Sequence, residues 1–305
     1  MNNIISPLTF KKNISIVKQI NVDKIVKKYK GFGIDVRPYF KNLKKISILQ
    51  CNVTGYQFYY PYDISGDSFF YEHFQKFDWY YMPWKWEHNI ALKYLHSGMK
   101  VLEVGCAHGA FLSKISKLYD LKKVIGLELN KSAKIENNKW KIENQTIQDF
   151  AKDNYNSFDL VCSFQVLEHI SDVHSFLKAK INCLKKGGTL LISVPNNNSF
   201  IKNEDSCLNM PPHHIGLWNE KSLKALEKIF PVKLLNIHFE PLQDYHVSGY
   251  VNAVNYYKYP KLLGKIIRRF NRIIGVYDNQ LKKTLSEKKQ LIGHTILVSF
   301  EKKND

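Results

Sequence analysis

The sequence predicts an α/β fold built on an open, doubly wound sheet of seven mostly parallel strands. From Glu87 onward, apolar runs of strand length alternate with amphipathic helical segments, which requires crossover helices between parallel strands. A basic insertion at about 240–294 precedes the last strand and is too long for a hairpin turn. We therefore expect an N-terminal cap region (1–86) and a main domain (87–305) that carries this insertion.

Each predicted strand is a short apolar run between turn signals. The runs are Val101 to Val104, Val124 to Leu129, a weak one near Ile142 to Ile147, Leu160 to Phe164, Leu190 to Val194, Val232 to Phe239 and Thr295 to Phe300. Helical periodicity lies between most of them, with Ser171 and Asn219 as candidate N-caps. Before residue 85 the pattern is irregular and rich in aromatic residues, among them Tyr56, Phe58, Phe70, Tyr71, Phe74, Trp79, Tyr80 and Tyr81. That block fits core packing better than substrate stacking.

Composition limits the classes of protein to consider. With 305 residues and 44% hydrophobic content, the chain can bury a large core and is neither disordered nor fibrous. The formal charge of +18 favours anionic partners, such as nucleic acid, phosphorylated molecules or a lipid surface. The basic amphipathic stretch Leu262 to Ile274 has a lid or acceptor platform as its first interpretation and a membrane-surface helix as its second.

The cysteines and the N-terminus indicate a cytoplasmic protein. None of the five cysteines shows a paired CxxC spacing, which argues against a disulfide framework and against a zinc site. The N-terminus has no continuous apolar segment of the kind that directs secretion, and no apolar run is long enough to span a bilayer.

A glycine-rich turn follows the first strand of the predicted sheet. In such sheets, ligands bind beyond the carboxyl ends of the strands, where glycine permits a tight turn and a close approach to the backbone. Gly105 and Gly109 stand at this place. A GxGxxG dinucleotide site would need glycines where Ala107 and Ala110 stand, so the spacing disfavours a nicotinamide or flavin enzyme.

The segment VLEVGCAHGAFL, residues 101–112, resembles the first motif of the class I S-adenosylmethionine-dependent methyltransferases. That resemblance implies a Rossmann-like methyltransferase fold and S-adenosylmethionine as the cofactor. It also implies that Glu103, Gly105 and Gly109 contact the amino-acid end of the cofactor. Ala107 replaces the middle glycine of the family, and a small residue still suits that position.

Further segments resemble the family in the expected order, from Gly98 to Phe239. Glu128 ends the second strand nineteen positions after Gly109, close to the spacing at which a carboxylate binds a ribose diol. Three more segments match: the adenine-contact segment Gln148-Asp149-Phe150, the fourth strand with its turn at 158–169, and the fifth strand at 184–195. The resemblance implies cofactor contacts for Gln148, Asp149, Phe150, Phe164 and Gln165.

Three histidines are candidate catalytic bases. A methyl donor that is already electrophilic leaves the protein to align an acceptor and to remove a proton from it. His169 follows the fourth strand, whereas His213 and His214 follow the fifth, and imidazole titrates near neutrality. We prefer His214 or His213 over His169. Gln165 stands where a further carboxylate would help to bind Mg²⁺, so we expect no metal ion.

These observations predict a methyltransferase that acts on an oxygen of a sugar or another small molecule. The N-terminal segment at 70–87 resembles that of bacterial methyltransferases of surface-glycan biosynthesis. Alternatives are an RNA methyltransferase, favoured by charge and aromatic residues, and a binding module without chemistry. The tetrapeptide that marks methylation of base amino groups is absent after the fourth strand, where the chain has Ser163-Phe164-Gln165-Val166. The sequence leaves the acceptor, the oligomeric state and contact with a membrane surface open.

Overall fold

The predicted α/β architecture is confirmed. The computed structural model of the chain describes residues 4–304 except 75, 78–79, 81, 131–132, 134–136, 204–205 and 259–260, with the backbone alone described at 257, 261–265 and 268. Trp79 and Tyr81 of the aromatic block lie outside the described residues. The strands are β1 (Ile14–Asn21), β2 (Lys45–Cys51), β3 (Gln57–Tyr60), β4 (Lys100–Val104), β5 (Lys123–Leu127), β6 (Lys141–Glu143), β7 (Phe158–Phe164), β8 (Leu184–Pro195), β9 (Gly216–Leu217), β10 (Val232–Pro241) and β11 (Ile292–Lys302).

Helices lie in the N-terminal region, around the central sheet and in the insertion. They are α1 (Val22–Tyr29), α2 (Arg37–Phe40), α3 (Ser68–Phe74), α4 (Trp86–Ala91), α5 (Ala110–Leu118), α6 (Ile147–Asp153), α7 (Val173–Cys183), α8 (Glu220–Lys224), α9 (Val247–Lys258), α10 (Lys261–Ile273) and α11 (Val276–Glu287). Among the described residues, every helix is too short or too polar to cross a membrane.

Seven strands form the main sheet, in the order β10-β11-β8-β7-β4-β5-β6. Strand β11 runs antiparallel to both of its neighbours, whereas the pairs from β8 to β6 are parallel. The central strands are almost wholly apolar because helices cover both of their faces. In this register Glu103 of β4 lies between Gly126 of β5 and Cys162 of β7. A carboxylate is thus held at the centre of the sheet, near the ends of its strands.

The helix caps agree with the sequence prediction at one of the two candidate residues. Asn219 caps α8 in a reciprocal pair with Ser222, as predicted. Ser171 does not cap α7, because its hydroxyl donates to the Tyr62 carbonyl (3.1 Å). Asp172 is the cap and accepts from the Ser175 amide (3.3 Å). The predicted residue was therefore one position too early.

The N-terminal region contains a second sheet that the sequence did not indicate. Strands β1, β2, β3 and β9 form an antiparallel sheet in that order, and β9 comes from the segment that follows β8. Strand β1 was missed because most of its side chains are exposed and Ile20 alone is fully buried, so it lacks an apolar alternation. The division of the chain into a cap and a main domain stays a prediction.

Much of the aromatic block packs into the core, as expected. Tyr56, Phe58, Phe70 and Phe74 are completely buried. Phe70 and Phe74 contact each other with ring centroids 5.1 Å apart, and both contact Tyr29 of α1. These rings join the N-terminal sheet to the helices beneath it.

Helices α9, α10 and α11 fill the segment between β10 and β11. Helix α9 packs on the short helical turn Phe200–Asn203, where the rings of Phe200 and Tyr250 lie 5.6 Å apart. The insertion returns to the sheet at Thr295, whose amide donates to the buried Glu240 carboxylate (2.9 Å). It therefore begins and ends at one place on the sheet.

Candidate functional site

A cavity of about 1130 Å³ lies at the carboxyl ends of the parallel strands. Ligands bind in this position in doubly wound sheets. The cavity is bounded by the strand ends on one side and by the N-terminal region and the insertion on the others. Residues from each part line it, including Glu103, Glu128, Phe164, Tyr71, Tyr80, Tyr245 and His246. Its volume exceeds that of a typical small-ligand pocket, so it can hold two ligands side by side.

The turn after β4 requires the left-handed backbone conformation at three positions. Gly105, Ala107 and Gly109 have φ angles of 75°, 46° and 71°. A Cβ at Gly105 would lie 2.5 Å from Val166 Cγ2, and one at Gly109 would lie 2.5 Å from Trp140 Cζ3. Glycine is thus required at both places by conformation and by space. Ala107 adopts the conformation with a Cβ present, and its amide donates to Glu128 Oε2 (3.0 Å).

Two carboxylates stand beside this turn. Glu128 accepts from the Ala107 amide and, through Oε1, from the Asn130 amide (3.0 Å). Glu103 is 4% exposed, and its Oε2 atom has no hydrogen-bond partner among the described residues. Burial and the negative charge of Glu128 raise the pKa of Glu103 to about 8. An unpartnered carboxylate beside a second one suits a ligand that brings a cation.

The structure brings most of the predicted cofactor residues to the cavity. Glu103, Gly105, Glu128, Gln148, Phe164 and Gln165 line it. Gly109 is not part of the lining, although its neighbours His108 and Ala110 are. Gly109 instead ends the turn and packs against Trp140, so its placement fits a role in shaping the turn.

Asp149 and Phe150 do not reach the cavity. Asp149 is exposed and accepts from Lys152 Nζ and from Thr146 Oγ1, both at 2.7 Å. Phe150 is buried in the core against Phe158, with ring centroids 5.8 Å apart. The first turn of α6 directs Gln148 toward the cavity and the next two side chains away from it. For these two residues the family resemblance and the geometry disagree.

Several lining residues were missed by the sequence analysis. Gln145, Thr146 and Ile147 follow β6 at the cavity edge, and the poorly marked strand before them concealed this position. The insertion supplies Tyr245 and His246, and the segment before α4 supplies Lys85. The sequence positions of the first three residues could have identified them, because each follows the carboxyl end of a parallel strand.

The three predicted catalytic histidines form one cluster. The ring centroids of His213 and His214 lie 4.4 Å apart, and His169 lies 4.7 Å from His213 and 4.9 Å from His214. All three residues line the cavity. The sequence predicted only that they would follow neighbouring strands, and the structure shows that they touch.

Hydrogen bonds distinguish the three imidazoles. His169 Nδ1 lies 2.7 Å from the His213 carbonyl, and His213 Nδ1 lies 2.7 Å from the Leu208 carbonyl. Because a carbonyl only accepts, each Nδ1 carries the proton and each Nε2 is left as an acceptor. His213 Nε2 is paired with the Tyr80 hydroxyl (2.7 Å). His214 Nδ1 pairs with Asn209 Oδ1 (3.1 Å), and its Nε2 has no hydrogen bond to the part of the chain that is described.

Burial keeps this cluster uncharged. It lowers the pKa of His169 to about 4, and it lowers the pKa values of His213 and His214 well below their ordinary range, with further lowering by the neighbouring imidazoles. Burial also raises the pKa of Glu168 to about 8. At neutral pH the histidines are therefore neutral proton acceptors, and Glu168 is a neutral acid.

The same cluster offers a set of metal-ligating atoms. One nitrogen from each of His169, His213 and His214 can be chosen so that all three lie within 4.8 Å of one another. Both His213 nitrogens already have partners, which opposes metal binding. The expectation that the site binds no metal ion stays a prediction.

The comparison with known families identifies this region. A family model described as "Methyltransferase domain" matches residues 79–230, the segment that contains the turn, both carboxylates and the histidine cluster. Residues 79–230 form a methyltransferase domain. The matched segment includes the turn after β4 and many of the residues that line the cavity described above.

Curated relatives of the methyltransferase domain share a name. A ubiquinone biosynthesis O-methyltransferase of Xanthomonas campestris pv. campestris (strain B100) is 31% identical over 113 residues, which cover 35% of this chain and 47% of the relative. The protein of that name from Vibrio parahaemolyticus is 26% identical over 184 residues, covering 54% and 77%. The chain thus spans about half the length of the first of these relatives. These relatives do not support the resemblance to surface-glycan enzymes.

A solved structure has the same fold. An S-adenosylmethionine-dependent methyltransferase from Archaeoglobus fulgidus matches with a TM-score of 0.50 at 16% identity, covering 77% of this chain and all of that one. The doubly wound, seven-stranded prediction is confirmed by this likeness and by the observed sheet. The family model and the relatives together support a methyltransferase domain of the S-adenosylmethionine-dependent class.

The turn after β4 provides a stability test of the methyltransferase domain. We expect Gly105→Ala to lower the free energy of unfolding by about 3 kcal/mol, through left-handed strain and the clash with Val166. The matched control is Gly187→Ala, since Gly187 has a φ angle of 73° and open space around its Cβ position. The free energy of unfolding of the control should fall only by the cost of the left-handed backbone conformation, about 1 kcal/mol. Urea denaturation measures both changes, and equal losses would contradict the predicted clash.

Proposed function

We propose that this protein transfers a methyl group from S-adenosylmethionine to a hydroxyl oxygen of a small ring-shaped molecule. One observation carries the proposal: a single cavity joins the carboxylates at the ends of β4 and β5 to the neutral cluster of His169, His213 and His214. The first group suits the methyl donor and the second suits an acceptor that must lose a proton.

The residues on the donor side fit S-adenosylmethionine. Its amino-acid end carries an ammonium group, and Glu103 offers the buried oxygen without a partner that such a group needs. Glu128 uses both oxygens for backbone amides, yet a carboxylate has about four acceptor sites, so it can still bind a ribose diol. Gln145, Thr146, Ile147 and Gln148 lie next along the cavity wall, where we place the adenine.

The residues on the acceptor side favour oxygen chemistry. The cofactor supplies an electrophilic methyl group, so the chain must orient a hydroxyl and accept its proton. We assign the proton to Nε2 of His214, because Asn209 orients this ring through Nδ1 and the other nitrogen is left as an acceptor. His169 is the second choice. Tyr80 occupies the corresponding atom of His213, which makes His213 a positioning residue.

Aromatic side chains favour a ring-shaped acceptor. Tyr71, Tyr80, Phe164 and Tyr245 line the cavity from different elements. The relatives are named for O-methylation in ubiquinone biosynthesis, and this supports a phenolic hydroxyl. A sugar hydroxyl is the second candidate, because the segment at 70–87 resembles glycan methyltransferases. Incubation of the protein with labelled S-adenosylmethionine, catechols, sugar nucleotides and RNA tests these choices; methylation of RNA alone would refute the proposal.

Cofactor affinity tests the placement of the donor side. We expect Glu128→Ala to weaken S-adenosylmethionine binding by more than tenfold, because the change removes ribose contacts and frees the turn at Ala107. Asp149→Ala is the matched control and should leave affinity unchanged, since Asp149 lies outside the cavity. Isothermal titration calorimetry measures both constants. A large loss in the control with none at Glu128 would contradict this placement of the donor side.

The pKa of Glu103 gives binding a defined pH dependence. With a pKa of about 8 the free carboxyl is protonated at pH 6, and an arriving ammonium group favours its ionised form. Binding should therefore release a proton, and affinity should rise with pH between 6 and 7.5 by up to about tenfold per unit. Glu103→Gln is the reference, because the pH dependence of its binding reflects only the titration of the cofactor's own amino group. The difference between the two profiles then reports Glu103. Titrations in buffers of different ionisation enthalpy count the released protons; identical pH profiles for both proteins would disprove the linkage.

The assignment of the base predicts a loss of turnover without a loss of binding. We expect His214→Ala to lower kcat by about 100-fold or more and to leave S-adenosylmethionine affinity unchanged. Added imidazole should restore part of the rate to this variant and none to His213→Ala, because a missing base can be replaced and a positioning hydrogen bond cannot. His174→Ala is the control, since His174 bonds the Leu8 carbonyl outside the cavity. Full activity of His214→Ala would exclude His214 as the base.

A further inference from the structure

Helix α10 presents an apolar face to solvent. Ile266, Phe270 and Ile273 follow one another at helical spacing and are 64%, 58% and 74% exposed, and Ile274 just beyond the helix is 52% exposed. Most large hydrophobic side chains of this chain are buried, whereas these four adjacent ones are not. Such a contiguous patch marks a surface that contacts something else.

The rest of α10 is basic. The helix contains Lys261, Lys265, Arg268, Arg269 and Arg272 and no acidic residue. On a helical wheel Arg272 falls on the side away from Phe270, whereas Arg269 lies at the edge of the apolar side, three positions after Ile266 and four before Ile273. A strongly basic side and an apolar side with Phe, Ile and Leu are typical of helices that lie in the plane of a membrane surface.

Neighbouring helices fix the orientation of α10. The Arg272 guanidinium donates to Asn252 Oδ1 on α9 (3.3 Å) and lies over the Tyr277 ring of α11, 5.0 Å from its centroid. These contacts hold one side of α10 against the insertion. The apolar residues at 266, 270 and 273 are therefore directed outward.

We propose that α10 docks the protein on the surface of an anionic lipid bilayer. Its apolar side chains enter the boundary between headgroups and acyl chains, and the exposed Arg269 at the edge of the apolar side lies at the negatively charged surface. The charge of α10 favours this partner over a second copy of the chain, because a pair of α10 helices would contain ten basic residues and no acidic residue to offset their repulsion. A phosphate backbone would satisfy the charge and leave the apolar face in water.

The location of α10 gives docking a role. The insertion that carries it also places Tyr245, His246 and Gly249 in the wall of the cavity. Docking through α10 would therefore hold this wall of the site next to the bilayer. This inference does not depend on the proposed methyl transfer, because lipid binding is measured without cofactor or acceptor.

Vesicle sedimentation with the 305-residue chain tests the proposal. We expect binding to vesicles of phosphatidylcholine with 30% phosphatidylglycerol to exceed binding to pure phosphatidylcholine at least tenfold, and to weaken with salt. Phe270→Ala should reduce binding to the anionic vesicles about tenfold. Phe69→Ala is the matched control, because Phe69 is 68% exposed in a different part of the chain, and it should leave binding unchanged.

A charge series separates a specific face from general basicity. Arg269→Glu should reduce vesicle binding at least tenfold, whereas Lys282→Glu, the same charge change on the exposed surface of α11, should reduce it less than threefold. Circular dichroism verifies that each variant is folded. Equal losses at both positions would overturn the assignment to α10. Absence of vesicle binding, with a dimer in light scattering that Phe270→Ala dissociates, would overturn the proposal in favour of self-association.

Discussion

The site depends on one constraint, which is the close packing of the turn after β4 against its surroundings. Gly105 donates to the Leu127 carbonyl (2.8 Å) and lies against Val166, so the turn is fixed to β5 and to the loop after β7. The Ala107 amide then meets Glu128. A larger residue at Gly105 would separate these three segments. The relative positions of both carboxylates and of the loop that leads to His169 follow from this packing.

The sequence was informative where burial was uniform and less so where structure depended on distant contacts. The central strands are apolar on both faces and were found with nearly their observed bounds. The N-terminal sheet was missed, since β1 is mostly exposed and β3 is completed by β9, more than 150 positions later. Asp149 and Phe150 were misplaced because the orientation of α6 depends on where the short strand β6 ends. His169 and His214 could be named from the sequence, but their contact could not.

The interior of the site has electrostatic properties opposite to those of the surface. The chain carries a formal charge of +18, yet the buried Glu87, Glu103 and Glu168 line the cavity, and the buried Glu240 accepts from the Tyr245 hydroxyl in its wall. Burial raises the pKa values of the last three glutamates above the ordinary carboxyl range and lowers those of the histidines. In the free protein the neutral forms of these carboxyl groups and imidazoles are therefore favoured. A cationic ligand can change this state, which links occupancy of the site to proton uptake and release.

The attachment of the insertion has a consequence for how such proteins diversify. A Cβ on Gly293 would lie 2.9 Å from the Glu240 carbonyl oxygen and 3.0 Å from that of Pro241, so the two ends of the insertion lie side by side. Everything between them can lengthen, shorten or be exchanged while the ends stay joined, because the seven-stranded sheet needs only the two anchoring strands. The part of the cavity wall formed by Tyr245, His246 and Gly249 is thus carried by a segment that leaves and rejoins the sheet at one place. Exchange of this segment would alter that wall alone and leave the strand ends and the three histidines in place.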